Sequence, residues 1–275
     1  HYGTSIFEGI RGYWSPKDLY IFRSNDDIKR FRNSGKFYNI TCNLSDKQIE
    51  NAVLNLCKKN KIKESCYIRP FYFVSQLGIN LHVTKKAPTH VAMFSFPFGD
   101  LFNKNGITAT ISKWRKFSDL STPIQAKMGG NYLNSVLATQ DAKQKGFDEA
   151  IFLDQSGNVS EAPGENIFLV KNNKLITPTL SASALDGITQ NSIITLAKDM
   201  NLEVKVRKVS KKELKFADDI FLSGTAAEIT PIIKLDKKKI GDGKVGKITK
   251  SLMTSYTDIV MNKNKKYSQW LTAVF

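Results

Sequence analysis

The ten residues Ala126-Lys127-Met128-Gly129-Gly130-Asn131-Tyr132-Leu133-Asn134-Ser135 constrain this chain more than any other stretch. Lys127 follows Thr122-Pro123-Ile124-Gln125 and precedes two glycines, so it belongs to a turn and not to a charged helix face. Leu133, Val136, Leu137 and Ala138 then recur at helical spacing, and Gly146 offers a stop. A lysine held by backbone on both sides can be fixed in space and partly desolvated. An amine under those conditions is nucleophilic at neutral pH, which makes Lys127 a candidate Schiff-base lysine.

Around that stretch, runs of strand length alternate with helix signals. Leu19 to Phe22 reads as a strand, and Ser24 starts a helix with Asp26 and Asp27 in its first turn and Ile28 and Phe31 on its apolar face. Ser45-Asp46-Lys47-Gln48 and Ser210-Lys211-Lys212-Glu213 are capping boxes. Cys66 to Arg69, Phe71 to Val74 and Val91 to Phe96 read as strands, and Pro97, Gly99 and Asn103-Lys104-Asn105-Gly106 break the pattern. The expected organisation is a domain over residues 1–98, a linker over 99–107 and a lysine-bearing domain over 108–275. In the latter, Ile107–Ile111 and Ala150–Leu153 read as strands, with Val159–Ala162 returning. Asn166–Val170 with Leu175-Ile176 forms a hairpin, and Asp219–Leu222 a further strand. Helices open at Gly187-Ile188-Thr189 and near Thr249.

Charge and rare residues narrow the function classes. Lysine and arginine number 41 against 25 acidic residues, a net charge of +16 that raises nucleic acid as a partner. The lysines, however, are scattered in clusters such as Lys58-Lys59 and Lys237-Lys238-Lys239, with no interleaved aromatic platform, so no nucleic acid is expected. Three cysteines without a C-x-x-C pair point to reduced thiols in the cytoplasm. His1, His82 and His90 lack metal-ligand spacing, and no apolar run has the length of a membrane span, so neither metal nor membrane is expected. The first residues read as the interior of an element, which predicts a leading segment before His1.

Two phosphate signals differ in quality. Gly241-Asp242-Gly243-Lys244-Val245-Gly246 matches G-x-G-x-x-G but follows no apolar strand and has too little chain after it for a βαβ unit, so it reads as a surface loop. Gly187-Ile188-Thr189 and Gly224-Thr225 each combine a glycine, backbone N–H groups and a hydroxyl, which suits an anion. Glu161 and Glu165 flank Pro163-Gly164, where a carboxylate could meet a cation or merely cap a turn.

Six ordered motifs now converge: YGTSIFEGIRGY, YIRP, AKMGGNYLNS, SEAPGENIFLV, GIT and SGTAAEITP. Together they resemble the fold-type IV pyridoxal-phosphate enzymes over nearly the whole chain, and within them the branched-chain amino acid aminotransferases. The resemblance implies a mixed α/β (α+β) fold of two domains, the N-terminal one smaller. It implies that Lys127 holds pyridoxal 5'-phosphate and, once released, moves the substrate's α-proton as catalytic base and acid. Tyr132 would donate to the ring's phenolic oxygen and Glu161 would face the pyridine nitrogen. Arg30, the backbone of Ile188 and Thr189, and the hydroxyls of Thr189 and Thr225 would bind the phosphate.

On the substrate side the resemblance implies Tyr2, Phe7, Tyr67, Arg69 and Phe98, with the backbone N–H groups of Thr225 and Ala226 for the α-carboxylate. Tyr2 would reach across from a neighbouring subunit, so at least a homodimer is expected. The implied substrates are leucine, isoleucine and valine with 2-oxoglutarate, and small molecules are the expected partners. D-amino acid aminotransferase and aminodeoxychorismate lyase are the rivals within the fold. The chain departs from the pattern at Phe98, where bacterial members often carry tryptophan, and at Gln190, where arginine commonly follows Gly-Ile-Thr.

Overall fold

The computed structural model describes residues 2–75 and 79–275. In chain order its elements are β1 (Ser5–Phe7), β2 (Ile10–Ser15), β3 (Asp18–Phe22), α1 (Ser24–Lys36), α2 (Asp46–Lys59), β4 (Cys66–Val74), β5 (Thr89–Pro97) and β6 (Ile107–Arg115). There follow α3 (Tyr132–Gln144), β7 (Glu149–Leu153), β8 (Asn166–Lys171), β9 (Lys174–Thr177), α4 (Ile188–Asp199) and β10 (Glu203–Val206). The last are α5 (Lys211–Leu214), β11 (Asp219–Gly224), β12 (Glu228–Leu235), β13 (Lys238–Lys239), α6 (Lys247–Val260) and β14 (Leu271–Ala273). The mixed α/β class expected from sequence is the one observed.

The chain forms two compact units that are not two halves of the sequence. The first gathers the N-terminal residues up to Gly99 with Gln125–Gly130 and Thr257–Phe275; the second holds Asp100–Ile124 and Asn131–Tyr256. Of the expected linker at 99–107, residues 100–107 belong to the second unit. The expected extent of 108–275 for the lysine-bearing domain differs from this division, because two later segments return. Met128 bridges to Ile6, and β14 pairs with β3 from Leu271 to Ala273.

The first unit is built on an antiparallel sheet, ordered β1-β4-β2-β3-β14 with β5 on the other side of β4. The capping box of α2 forms as read, Ser45 Oγ accepting from Gln48 N at 3.2 Å and Gln48 Oε1 from Ser45 N at 2.8 Å. That helix buries Ile49, Val53 and Cys57, while α1 buries Ile28 and Phe31. The two strand runs around Pro70 are one strand, β4. Its neighbour is β2 at Cys66–Ile68 and β1 at Phe71–Phe73, so Pro70 sits where the partner changes and its missing N–H interrupts neither ladder. Its carbonyl accepts instead from Glu8 N at 3.0 Å.

The second unit carries a mixed sheet in the order β10-β9-β8-β11-β12-β6-β7, with β13 on β12. The sequence reading has no strand at β12, which contains Pro231. The strand pairs with β11 over Glu228–Ile232 and with β6 only from Ile232 onward, so this proline also falls where one side has no partner. The hairpin of β8 and β9 turns on Asn172 and Asn173, both at positive φ (50° and 58°), a conformation asparagine tolerates. The return at Val159–Ala162 is shorter than expected. Ser160 N binds Phe152 O and Phe152 N binds Glu161 O, but Pro163-Gly164 then turns the chain before a ladder extends. Gly241–Gly246 is the loop preceding α6, and a side chain at Gly246 would strike the Asp219 carboxylate at about 2 Å, so that glycine serves packing.

Candidate active site

In the first unit the lysine turn is clamped on both sides. Lys127 N donates to Ser34 Oγ at 2.9 Å, and its carbonyl accepts from Phe7 N at 3.1 Å. The chain passes close to residues 3–5 here: a Cβ on Gly129 would meet Ser5 Oγ at 2.5 Å, and one on Gly3 would meet Gly130 Cα at 2.9 Å. Lys127 is half-buried, with its ammonium 4.9 Å from the centre of the Phe7 ring. Burial pushes its amine below the usual lysine range, and Arg30 lowers it further; Glu8 and Tyr67 oppose this, while Arg69 assists.

Arg30 leaves α1 into a buried acidic pair. Its Nε donates to Glu8 Oε1 at 2.7 Å and its Nη2 to Glu8 Oε2 at 2.8 Å, while Asp27 Oδ1 stands 3.5 Å from Nη2. Glu8 is wholly buried and also accepts from Gly9 N. Sequence reasoning took Arg30 and missed both acids, although Glu8 lies within the first quoted motif.

Phe7, Tyr67, Arg69 and Phe98 lie together in the first unit. The Arg69 guanidinium lies 4.7 Å from the Phe7 ring and 5.1 Å from the Tyr67 ring, and Nη2 donates to Tyr67 Oη at 2.9 Å. Its buried Nε makes no hydrogen bond among the described residues. Tyr67 packs on Phe98 at 5.4 Å, and Arg11, buried, stacks between Phe98 and Tyr13 at 5.1 Å from each ring. Tyr2 is exposed and donates to Ile79 O at 3.3 Å.

In the second unit Glu161 is buried with both oxygens engaged. Oε1 pairs with Lys116 Nζ at 2.7 Å, and Oε2 accepts from Leu185 N at 2.9 Å and Asn166 Nδ2 at 3.2 Å. Asn166, at the head of strand β8 and before the apolar run Ile167–Val170, also donates to Leu185 O. Its Oδ1 lies 1.9 Å from where a Cβ on Gly187 would stand, so only glycine fits at the start of α4. Ile188 and Thr189 form that helix's first turn, Thr189 buried, and Thr225 and Ala226 follow the end of β11. Tyr132 is half-buried at the start of α3. Lys116 and Asn166 were missed. Asn166 was visible as a polar head on an apolar strand; Lys116 is one lysine among many. Gln190 is structural, its Nε2 donating to Thr177 Oγ1 at 2.9 Å.

Each unit by itself carries residue chemistry that pyridoxal phosphate takes: the first an amine of lowered basicity, the second a buried carboxylate held by three partners and a glycine-fronted helix start where side-chain bulk is excluded. Among the described residues no group of three or more His, Cys, Asp or Glu is arranged to hold a metal ion.

Comparison with known proteins agrees. A model of the amino-transferase class IV family matches residues 5–235. The chain is 40% identical to a probable branched-chain-amino-acid aminotransferase of Aquifex aeolicus (strain VF5), covering all of this chain and 89% of that protein. It is 38% identical to the branched-chain-amino-acid aminotransferase of Escherichia coli (strain K12), over all of this chain and 90% of the relative. The solved branched-chain aminotransferase of Thermoproteus uzoniensis with norvaline superposes with a TM-score of 0.97 at 38% identity, covering 100% of this chain and 91% of that one. The branched-chain amino acid aminotransferase of Thermobaculum terrenum, solved in its pyridoxal-phosphate holo-form, gives 0.94 at 34% identity, covering 99% and 90%.

Proposed function

The chain belongs to the class IV aminotransferases, and from that premise we propose the roles of its residues in transaminating branched-chain amino acids. Pyridoxal phosphate, when bound, supplies an electron sink for the bond broken at the substrate's α-carbon. Lys127 Nζ carries the cofactor in the resting enzyme, then takes the α-proton and returns it on the other side of the transfer. The observation that carries this reading is its placement: a backbone-clamped, half-buried amine whose basicity is lowered by burial and by Arg30. Glu161 holds a proton at the pyridine nitrogen, with Lys116, Asn166 and Leu185 N fixing its carboxylate. Arg30, the N–H groups of Ile188 and Thr189 and the hydroxyls of Thr189 and Thr225 bind the phosphate, and Tyr132 donates to the phenolic oxygen. The N–H groups of Thr225 and Ala226 take the α-carboxylate.

We take 2-oxoglutarate as the second substrate. Its distal carboxylate must enter a pocket lined by Phe7, Tyr67 and Phe98, and Arg69 is the cation there. The support is its buried Nε without a hydrogen bond, an N–H that an incoming carboxylate would satisfy. Arg69→Ala should slow the half-reaction with glutamate about 10- to 100-fold while sparing that with leucine. Stopped-flow absorbance reads the two half-reactions separately. If both slow alike, or if D-alanine outruns L-leucine in the parent, this reading of the pocket fails.

The reading extends to a homodimer in the cytoplasm. No helix among the described residues is long and apolar enough to cross a membrane, and Cys42, Cys57 and Cys66 are buried free thiols. Helix α3 supports association: it buries Asn134, Ser135 and Asp141 while exposing Leu133 (66%), Val136 (50%) and Leu137 (43%). The helical spacing expected at these three positions holds, but they face outward. An apolar stripe of this kind marks a surface that another protein covers. Leu133→Lys with Leu137→Lys should shift the protein from dimer to monomer in size-exclusion chromatography with light scattering. A parent that is already monomeric would overturn the assignment.

A further inference from the structure

One guanidinium in the first unit faces two buried carboxyls, and the geometry treats them unequally. Glu8 takes the Arg30 fork with both oxygens, at 2.7 and 2.8 Å, whereas Asp27 Oδ1 approaches only to 3.5 Å and makes no hydrogen bond among the described residues. We propose that Glu8 is a positioning residue for the transfer reaction: its carboxylate fixes the Arg30 fork and supplies the negative charge that the amine of Lys127 meets. The proposal rests on the reading of Lys127 as the cofactor lysine.

Two buried anions cannot share one buried cation without a large desolvation cost, so the carboxyl with the poorer geometry keeps its proton. Asp27 fits that part: burial, then the neighbouring Glu8, push its carboxyl well above the usual range. The titratable and charged groups that face Lys127 are Arg30 and Asp27 from α1, Glu8 from the segment joining β1 and β2, and Arg69 with the Tyr67 hydroxyl from β4. Arg30 and Arg69 lower the amine, while Glu8 and Tyr67 raise it. Removing the charge of Glu8 therefore takes away the main opposition to Arg30 and makes Lys127 more acidic. Asp27, held toward its protonated form by burial and by Glu8, adds little to that opposition, so removing its carboxyl does not have this effect.

The test sets three variants beside the parent. In the holoenzyme, the pH at which the bound cofactor's visible absorption changes should fall by about one pH unit in Glu8→Gln, an effect expected from one close charge. It should stay in place in Asp27→Asn. In cofactor-free protein, acetic anhydride labelling followed by peptide mapping should modify Lys127 at correspondingly lower pH in Glu8→Gln. Glu8→Asp keeps the charge on a shorter arm and should hold the parent's midpoint even if the fork loosens; it serves also if Glu8→Gln does not fold. A midpoint unmoved or raised in Glu8→Gln, equal shifts in Glu8→Gln and Asp27→Asn, or a fall in Glu8→Asp would each overturn the proposal. Borohydride reduction of the parent separates this failure from the other: a label on a lysine other than Lys127 sinks the site reading and the proposal with it.

Discussion

Exchange of Lys127 for alanine is expected to slow transamination at least about a thousandfold, the joint loss of a covalent anchor and of the group that moves the α-proton. The fold should survive it. The turn is held by its backbone, through Ser34 Oγ and Phe7 N, and by the close passage of Gly129 and Gly130 past residues 3–5, none of which uses the side chain. Removing a partly desolvated amine from a site that lowers its basicity should, if anything, relieve the first unit. Circular dichroism and a melting curve close to the parent's, together with the lost half-reaction toward L-leucine, are the expected pair of results. A variant retaining a tenth of the parent rate would show that another base does the work.

Glu161→Gln is expected to keep the cofactor and yet slow both half-reactions about 100-fold or more, the scale of losing one preorganised charge opposite a developing one. The structure adds a second consequence. Leu185 N and Asn166 Nδ2 both donate to Oε2, so a glutamine must turn its oxygen toward them and its amide NH2 toward the Lys116 ammonium. Lys116 is then a buried cation facing a donor, and the variant should lose about 1–3 kcal/mol of stability as well. Arg30→Ala should do the opposite to function, weakening cofactor retention, because the cation proposed to bind the phosphate is lost and Glu8 is left without its guanidinium partner. Equal cofactor loss in both variants, measured by absorbance after gel filtration, would contradict the division of labour between them.

Much of this was legible in the chain because its local signals agree with the fold. The Ser45 capping box, the Asn172-Asn173 turn and the apolar face of α1 are each set by residues within a few positions of one another. The lysine turn was legible as a turn for the same reason, since Lys127 and the glycines are contiguous. What remained hidden depends on distant partners. Nothing near Lys116 announces that it meets Glu161, and Glu8 finds Arg30 across 22 positions. Strand β12, which the sequence reading did not name, forms around Pro231 because β6 joins only beyond it. The exposed stripe on α3 was read correctly as a periodicity, but a period does not say which side faces in.

The unit that carries Lys127 is assembled from three separate stretches, and its sheet is finished by β14 pairing with β3. During synthesis, β3 therefore has an open edge until residues 271–273 have been made, long after the second unit, nearly continuous in sequence, can have formed its own core. Pairing over so great a separation is slow, because the entropy of closing the intervening loop is lost before any contact returns it. A nascent chain of this protein would hold a folded second unit and an unfinished first one, its sheet still a strand short while the lysine turn is already made.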